Sequence, residues 1–146
     1  MKKKVPDAEL WVFGDGPLRK TLERLSGSGI RFFGNLSSFE RRELLKKCWV
    51  LIVPGLREGW GLNIIEANAL GLPAVAYDVP GLRDSVKDNE TGMLAEGGNI
   101  RDLAEKTIDL LTNSPFREKL RVNSLNYSKQ FSWEKTANEL MKLITQ

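Results

Sequence analysis

A strand, a glycine-containing loop, a short helix and a second strand are predicted over residues 50–77, and this unit constrains the fold more than any other stretch. Residues 50–53 and 72–77 are apolar runs of the kind that forms buried parallel strands. Gly59 and Gly61 lie in the loop between them and allow a sharp turn that leaves backbone N–H groups uncovered. A helix predicted over residues 62–70 follows. Its first N–H groups and its dipole make the helix start a natural anion site.

Two carboxylates flank the start of this helix, Glu58 in the loop and Glu66 on the helix. The other side chains of the helix are almost all apolar: Leu62, Ile64, Ile65, Ala67, Ala69 and Leu70. Such a helix is expected to be buried, and a buried glutamate needs partners. Glu66 could form a capping box with Asn63 as the N-cap. Alternatively it accepts hydrogen bonds from ligand hydroxyls, since its two oxygens suit a vicinal diol. For Glu58, the alternative to a ligand contact is a solvated charge beside Arg57.

Composition indicates one ordinary globular domain of 146 residues. The net charge of +3 and the pI of about 9.1 suit phosphate ligands or an anionic membrane surface, but the basic residues are scattered rather than striped, which does not indicate nucleic acid. There is no histidine and one cysteine, Cys48, which excludes a disulfide framework and a histidine-based metal site. Cys48 is interpreted as a buried core thiol. No signal peptide or bilayer-length apolar run is visible, so the cytoplasm is the default expectation.

Strands and helices alternate along the rest of the chain, which predicts a doubly wound α/β domain. The predicted elements are a strand over 8–13, a helix over 18–25, a strand over 30–33, a helix capped by Ser37 or Ser38, a helix over 83–86 and an edge strand over 91–94. Three helices are predicted after them: one from Ile100 that breaks at 113–115, a second that contains residues 116–127, and a third that starts at Phe131 or Ser132. Gly14 and Gly16 precede Arg19 and could suggest a phosphate loop. Their spacing lacks the full fingerprint, so a tight turn is favoured.

Gly34 and Asn35 follow the predicted strand over residues 30–33. In open α/β sheets the ligand binds at the carboxyl ends of the strands, so this loop is a candidate ligand site. A plain strand-to-helix connection is the alternative interpretation.

Glu58, seven intervening residues and Glu66 resemble the paired-glutamate motif of retaining GT-B glycosyltransferases of family 4, the glycosyl transferases group 1. Other stretches resemble that family in the same order, and together they cover nearly the whole chain: 13–17 (FGDGP), 32–36 (FFGNL), 66–73 (EANALGLP), 89–94 (NETGML) and 131–133 (FSW). The resemblance implies a Rossmann-like doubly wound parallel sheet that forms one half of a GT-B fold. Residues 1–146 would be a single donor-binding domain, and the family's acceptor domain and the first strand and helix of the donor domain would lie outside this chain.

The resemblance also implies roles for individual residues. Glu66 would bind the ribose hydroxyls, and Glu58, the candidate catalytic residue, would bind hydroxyls of the transferred sugar. The base would lie near Gly34 and Asn35, and the loop amides would face the diphosphate. The implied donor-binding residues are Glu58, Gly59, Trp60, Gly61, Leu62, Asn63, Glu66, Gly34 and Asn35. Trp60 could equally wall the pocket or belong to the core, and Asp84 is given no role.

The function implied by the resemblance is hexosyl transfer from an NDP-sugar, with UDP or GDP the expected carrier, to an acceptor hydroxyl. The acceptor would be a glycan or a lipid-linked molecule bound through the missing domain, without which the chain is expected to be inactive. Peripheral membrane contact of the whole enzyme is compatible with a lipid acceptor. No cofactor is expected, and the absence of an Asp-x-Asp motif agrees with metal independence.

Two other functions are compatible with the same sequence features. A non-catalytic module that binds a nucleotide or a nucleotide-sugar and a GT-B epimerase are the alternatives, while no segment suggests the pyridoxal-binding lysine of a phosphorylase. Hydrolysis is disfavoured, because a glycosidase needs its carboxyl groups set across one bond. The last helix is expected to expose apolar area, since in this family it crosses to the other domain.

Overall fold

A computed structural model describes residues 3–145, which form two compact units, one within residues 3–48 and one within residues 49–145. Each unit alternates strands with helices, and the named strands pair in parallel. The α/β class with parallel strands is therefore confirmed.

The first unit contains a two-stranded sheet. Its elements are β1 (Leu10–Phe13), α1 (Arg19–Leu25), β2 (Ile30–Gly34) and α2 (Ser38–Leu45). The Phe33 ring packs against Trp11 and Phe13, with centroids 5.3 and 5.5 Å away. Helix α1, all of whose residues are described, has no buried side chain. Its apolar stripe of Leu22 and Leu25 is exposed.

A capping box starts α2. The Ser37 hydroxyl accepts from the Glu40 N–H, while the Glu40 carboxylate accepts from the Ser37 N–H at 2.9 Å. Of the two serines that the sequence offered, Ser37 is therefore the cap. The pKa of Glu40 lies below its ordinary value. The larger cause is the hydrogen bond from the Ser37 hydroxyl, and the smaller is the hydrogen bond from the Ser37 N–H.

The second unit is built on a three-stranded parallel sheet. Its first elements are β3 (Leu51–Val53), α3 (Leu62–Asn68), β4 (Ala74–Tyr77), α4 (Leu82–Ser85) and β5 (Gly92–Ala95). The strand order is β3-β4-β5, so β4 is central and β5 lies at an edge, as predicted. Every residue of β4 is buried. Core side chains pack on both faces of the sheet, one group around Val75 and Leu110 and the other around Ile64 and Leu82.

Three helices complete this unit: α5 (Ile100–Thr112), α6 (Ser114–Ser128) and α7 (Trp133–Ile144). The side chains of Asn99, Asn113 and Ser132 cap them. Helix α5 buries its apolar stripe. Helix α7, described over its full length, buries no residue, and Trp133 is 91% exposed. The expected apolar exposure of the last helix is therefore confirmed.

Replacing Ser37 by Ala should remove the capping box and lower the free energy of unfolding by about 1 kcal/mol at neutral pH, as measured by urea denaturation. The folded-state pKa of Glu40 is depressed, so its contribution is present above the ordinary glutamate pKa and is lost as the pH falls through the folded value. The difference between wild type and Ser37→Ala should therefore shrink in acid. Ser38→Ala is the matched control, and an equal loss in that variant would contradict the assignment.

Candidate functional site

Gly61 fixes the start of α3. Its φ of 69° and ψ of 51° lie in the left-handed region, and the residue is buried. A Cβ built there would lie 3.1 Å from Ile64 Cδ1, 3.1 Å from Leu82 Cδ2 and 3.2 Å from Ser85 Oγ. Both backbone conformation and space therefore favour glycine, and the predicted sharp turn is confirmed at this position.

The structure excludes the interpretation in which Asn63 and Glu66 form a capping box. The N-cap of α3 is Gly61, and no side chain caps this end. Because the helix begins at Leu62, Asn63 already has helical backbone and cannot serve as the N-cap.

The prediction that α3 is buried all round is also wrong. Its contacts are with β3, β4, α4 and α6, and these bury one side of the helix, including Ile64 and Asn68. The other side is open, with Leu62 66% exposed and both Asn63 and Glu66 exposed. The polar group that is fully buried on this helix is Asn68, whose amide makes no hydrogen bond to other described residues. Glu66 therefore reaches solvent and does not bear the cost of burial in the core.

Glu58 is also exposed, in the loop before α3. Its side chain lies over Gly55, since a Cβ built on Gly55 would be 3.0 Å from Glu58 Cγ and 3.1 Å from Oε1. Gly59 follows it, is exposed, and has no left-handed φ. A Cβ at Gly59 would meet no described atom within 4 Å. The predicted conformational need for glycine therefore applies to Gly61 but not to Gly59.

Gly81, in the loop between β4 and α4, supports the loop that carries Glu58. It has a φ of 86°, and a Cβ there would lie 2.2 Å from the Glu58 carbonyl oxygen and 2.7 Å from that of Gly59. These are backbone atoms that a side-chain rotation cannot move. Sequence reasoning missed this contact, although glycine at the end of a buried strand could have signalled a close backbone approach.

Trp60, in the same loop, belongs to an aromatic cluster. Its partly buried ring meets Phe131 edge to face, with centroids 5.0 Å apart. The Phe131 ring in turn meets Tyr127 at 5.1 Å. Phe131 is far from Trp60 in sequence, so the pattern around residue 60 gave no signal for this contact.

Gly34 and Asn35 lie in the first unit, at the end of β2, whereas the other predicted site residues lie in the second unit. Gly34 is buried with a φ of 68°, and Asn35 is exposed. They line a cavity of about 350 Å³ together with Phe13, Gly14, Leu36, Ser38 and Arg41. Among these, Arg41 is a polar residue that the sequence did not single out.

Three other features that bear on function are a possible metal site, a possible membrane-spanning helix and the cysteine. Among residues 3–145 there is no group of three or more histidine, cysteine, aspartate and glutamate side chains that could hold a metal ion. Within that same range no helix has the length and apolar character to cross a membrane. Cys48 is half-buried, its thiol lies 3.5 Å from the Leu44 carbonyl oxygen, and burial raises the pKa of the thiol.

Solved structures of known proteins share this α/β fold. The pneumococcal O-GlcNAc transferase GtfA, solved in complex with UDP and GlcNAc, has a TM-score of 0.84 at 20% identity, covering 99% of this chain and 30% of that one. Sucrose-phosphate synthase from Thermosynechococcus elongatus has a TM-score of 0.85 at 27% identity, covering 94% of this chain and 38% of that one. The fold is thus the Rossmann-like α/β fold found in GT-B glycosyltransferases.

The sequence profile described as "Glycosyl transferases group 1" matches residues 1–144. The chain therefore belongs to the glycosyl transferases group 1 family. The protein named uncharacterized glycosyltransferase MJ1178, from Methanocaldococcus jannaschii, is 36% identical over 141 residues, which is 94% of this chain and 40% of that protein. The chain thus spans well under half the length of this curated relative.

Replacing Gly81 by Ala should displace the Glu58–Gly59 peptide, because the added Cβ would overlap two carbonyl oxygens. Overlap with backbone of this kind costs on the order of 1–3 kcal/mol. We expect a lower midpoint in urea and, in any ligand assay that depends on Glu58, weaker binding.

Gly59→Ala is the matched comparison for Gly81→Ala. Its Cβ would project into open space, so we expect folding stability within about 0.5 kcal/mol of wild type. A large destabilisation by Gly59→Ala, or none by Gly81→Ala, would contradict the described loop geometry.

Proposed function

We propose that this chain is the donor-binding domain of a retaining glycosyltransferase, which transfers a hexosyl group from an NDP-sugar to an acceptor hydroxyl. The observation that carries the proposal is the two-sided unit of the Glu58 loop and α3. One side of α3 is packed into the core, while Glu58 in the loop and Glu66 on the helix both reach solvent. Membership of the glycosyl transferases group 1 family supports the same conclusion.

The two carboxylates suit hydroxyl groups. A carboxylate offers two acceptor oxygens and can take two donors from a diol. In the proposed complex Glu66 accepts from the ribose hydroxyls and Glu58 from hydroxyls of the transferred sugar, which makes Glu58 the candidate catalytic residue. The exposed side of α3 that holds Leu62 and Asn63 then faces the donor.

The backbone between Gly59 and Asn63 is proposed to face the diphosphate. The first N–H groups of a helix have no intrahelical acceptor and can donate to an anion. As the glycosidic bond breaks, the leaving diphosphate gains charge, and donors that are already oriented stabilise that charge. Gly59 leaves open space on its Cβ side, which lets a ligand approach the backbone closely.

The cavity of the first unit is the proposed base site. Gly34 and Asn35 contribute backbone and amide groups, Phe13 contributes an aromatic ring, and Arg41 lines the same cavity. The similarity in fold to GtfA, a structure that contains UDP and GlcNAc, supports a nucleotide-sugar as the ligand class. UDP- and GDP-sugars are the donors to test first.

Transfer itself is proposed for the longer protein. Family 4 enzymes bind the acceptor through a second domain, and this chain spans 40% of its Methanocaldococcus relative. The proposed acceptor is a hydroxyl of a glycan or of a lipid-linked molecule. Donor binding is proposed to need neither metal nor cofactor, which a titration in EDTA would check.

Calorimetric titration with UDP-glucose, GDP-mannose and ADP-glucose tests donor binding. We expect wild type to bind one nucleotide class. Glu66→Ala should weaken that binding by about 1.5–3 kcal/mol, or about 10- to 150-fold, because a charge-assisted hydrogen bond is lost. Glu58→Ala should weaken the NDP-sugar by a similar factor but leave the matching nucleoside monophosphate nearly unchanged.

Glu105→Ala, at an exposed position of α5, is the control and should bind like wild type. Far-UV circular dichroism of each variant checks that the fold is intact. A folded wild type that binds none of the nucleotide-sugars would contradict donor binding by this chain. Binding that survives Glu66→Ala unchanged would contradict the role given to that residue.

A further inference from the structure

The aromatic cluster of Trp60, Phe131 and Tyr127 connects the Glu58 loop to the end of α6. Trp60 and Phe131 meet at 5.0 Å with rings inclined by 64°, and Phe131 and Tyr127 meet at 5.1 Å with rings inclined by 80°. Both are edge-to-face arrangements, which favour one relative orientation of the rings beyond simple burial. The cluster therefore holds a ring of the loop in a defined place.

The cluster is itself anchored on the protein side. The Tyr127 hydroxyl donates to the Asp84 carbonyl oxygen at 3.2 Å, and Lys87 Nζ lies 5.8 Å from the Tyr127 ring centroid. The Phe131 N–H donates to the Ser128 carbonyl oxygen at 3.1 Å. Phe131 is thus held through its backbone by the last turn of α6. Its ring packs against Tyr127 of α6, whose hydroxyl is in turn hydrogen-bonded to α4.

Trp60 stands between two glycines of opposite character. Gly61 is buried and packed, whereas Gly59 is exposed and a Cβ built on it would meet no described atom within 4 Å. On the Glu58 side of Trp60, the close contact is that of the Glu58 and Gly59 carbonyl oxygens with Gly81. The ring contact of Trp60 with Phe131 and the backbone contact of Gly81 both restrain this segment.

We propose that Phe131 is a positioning residue: by holding Trp60, it fixes the orientation of Glu58 and the Gly59 amide toward the sugar and diphosphate of the donor. This inference rests on the proposed donor binding. Phe131 acts through Trp60 and does not touch the donor. The binding of the sugar and of the second phosphate should therefore depend on Phe131. The binding of the nucleoside and its first phosphate should not.

The test compares two ligands on one variant. Phe131→Leu is titrated with UDP-glucose and with UMP, or with GDP-mannose and GMP if wild type prefers guanine. The readout is the ratio of the two dissociation constants, which a change in the folded fraction does not alter. Phe131→Leu removes the edge-to-face interaction that orients Trp60. We therefore expect the NDP-sugar to bind this variant about three- to tenfold more weakly than wild type, and the monophosphate to bind within about twofold of wild type.

Three further variants complete the test. Phe131→Tyr retains the ring and should restore the wild-type ratio. Trp133→Leu removes an aromatic side chain that is two residues away and 91% exposed, and should keep the wild-type ratio. If Phe131→Leu does not fold, Phe131→Met keeps more of the side-chain volume and is measured in the same way.

The inference is supported if the dissociation constant of the NDP-sugar, divided by that of the monophosphate, rises in Phe131→Leu and keeps its wild-type value in Phe131→Tyr and Trp133→Leu. It is overturned if Phe131→Leu weakens both ligands equally or neither, or if Trp133→Leu has the same effect. In those cases wild type still binds the nucleotide-sugar, and the proposed donor site stands. A wild type that binds no nucleotide would instead overturn the donor site, and this inference with it.

Discussion

The candidate site depends on the close packing of the Gly81 backbone against the Glu58–Gly59 peptide. No side chain larger than hydrogen fits between them, since a Cβ would lie 2.2 Å from a carbonyl oxygen. This contact ties the loop after β4 to the loop after β3, at the carboxyl ends of two paired parallel strands. That edge is where ligands bind in open α/β sheets. The position of Glu58 thus depends on the neighbouring loop as well as on its own.

Three glycines of this region serve different needs. Gly61 is required by its left-handed φ and its packing, and Gly81 by its contact with backbone. Gly59 meets neither condition. Glycine without a conformational or packing reason is costly, because it adds entropy to the unfolded chain. The open space at Gly59 would let a ligand approach the backbone closely, which suits the proposed diphosphate contact.

The sequence predicted the order of the elements, because apolar runs and glycine turns are local signals. The sequence did not predict that one side of α3 is exposed to solvent. The apolar residues of that helix indicated burial all round, yet Leu62 is 66% exposed. Composition reports which residues could be buried, whereas the neighbours decide which are. The stripes of α5 and α7 make the same point, because both are amphipathic and only the first is covered.

The contacts that hold the Glu58 loop were not predictable in this way. Trp60 meets Phe131, and Gly81 meets Glu58, across long intervals of sequence. Such pairs depend on the strand order and on how the helices pack, and neither is encoded in any one segment. The local pattern could mark Glu58 and Glu66 as unusual, but it could not show what orients them.

The two glutamates differ in how they are held, and this difference has a consequence for function. Glu66 stands on a helix whose other side is locked into the core, with Ile64 fully buried. Glu58 lies on a loop whose described contacts include the backbone of Gly81 and the ring pair of Trp60 and Phe131. Local opening requires least free energy where few apolar contacts are lost, so the loop should loosen before the helix does. In the proposed complex, the contacts of Glu58 to the transferred sugar would therefore be more easily perturbed than those of Glu66 to the ribose. The proposed donor site would then retain the nucleotide while its sugar end changes.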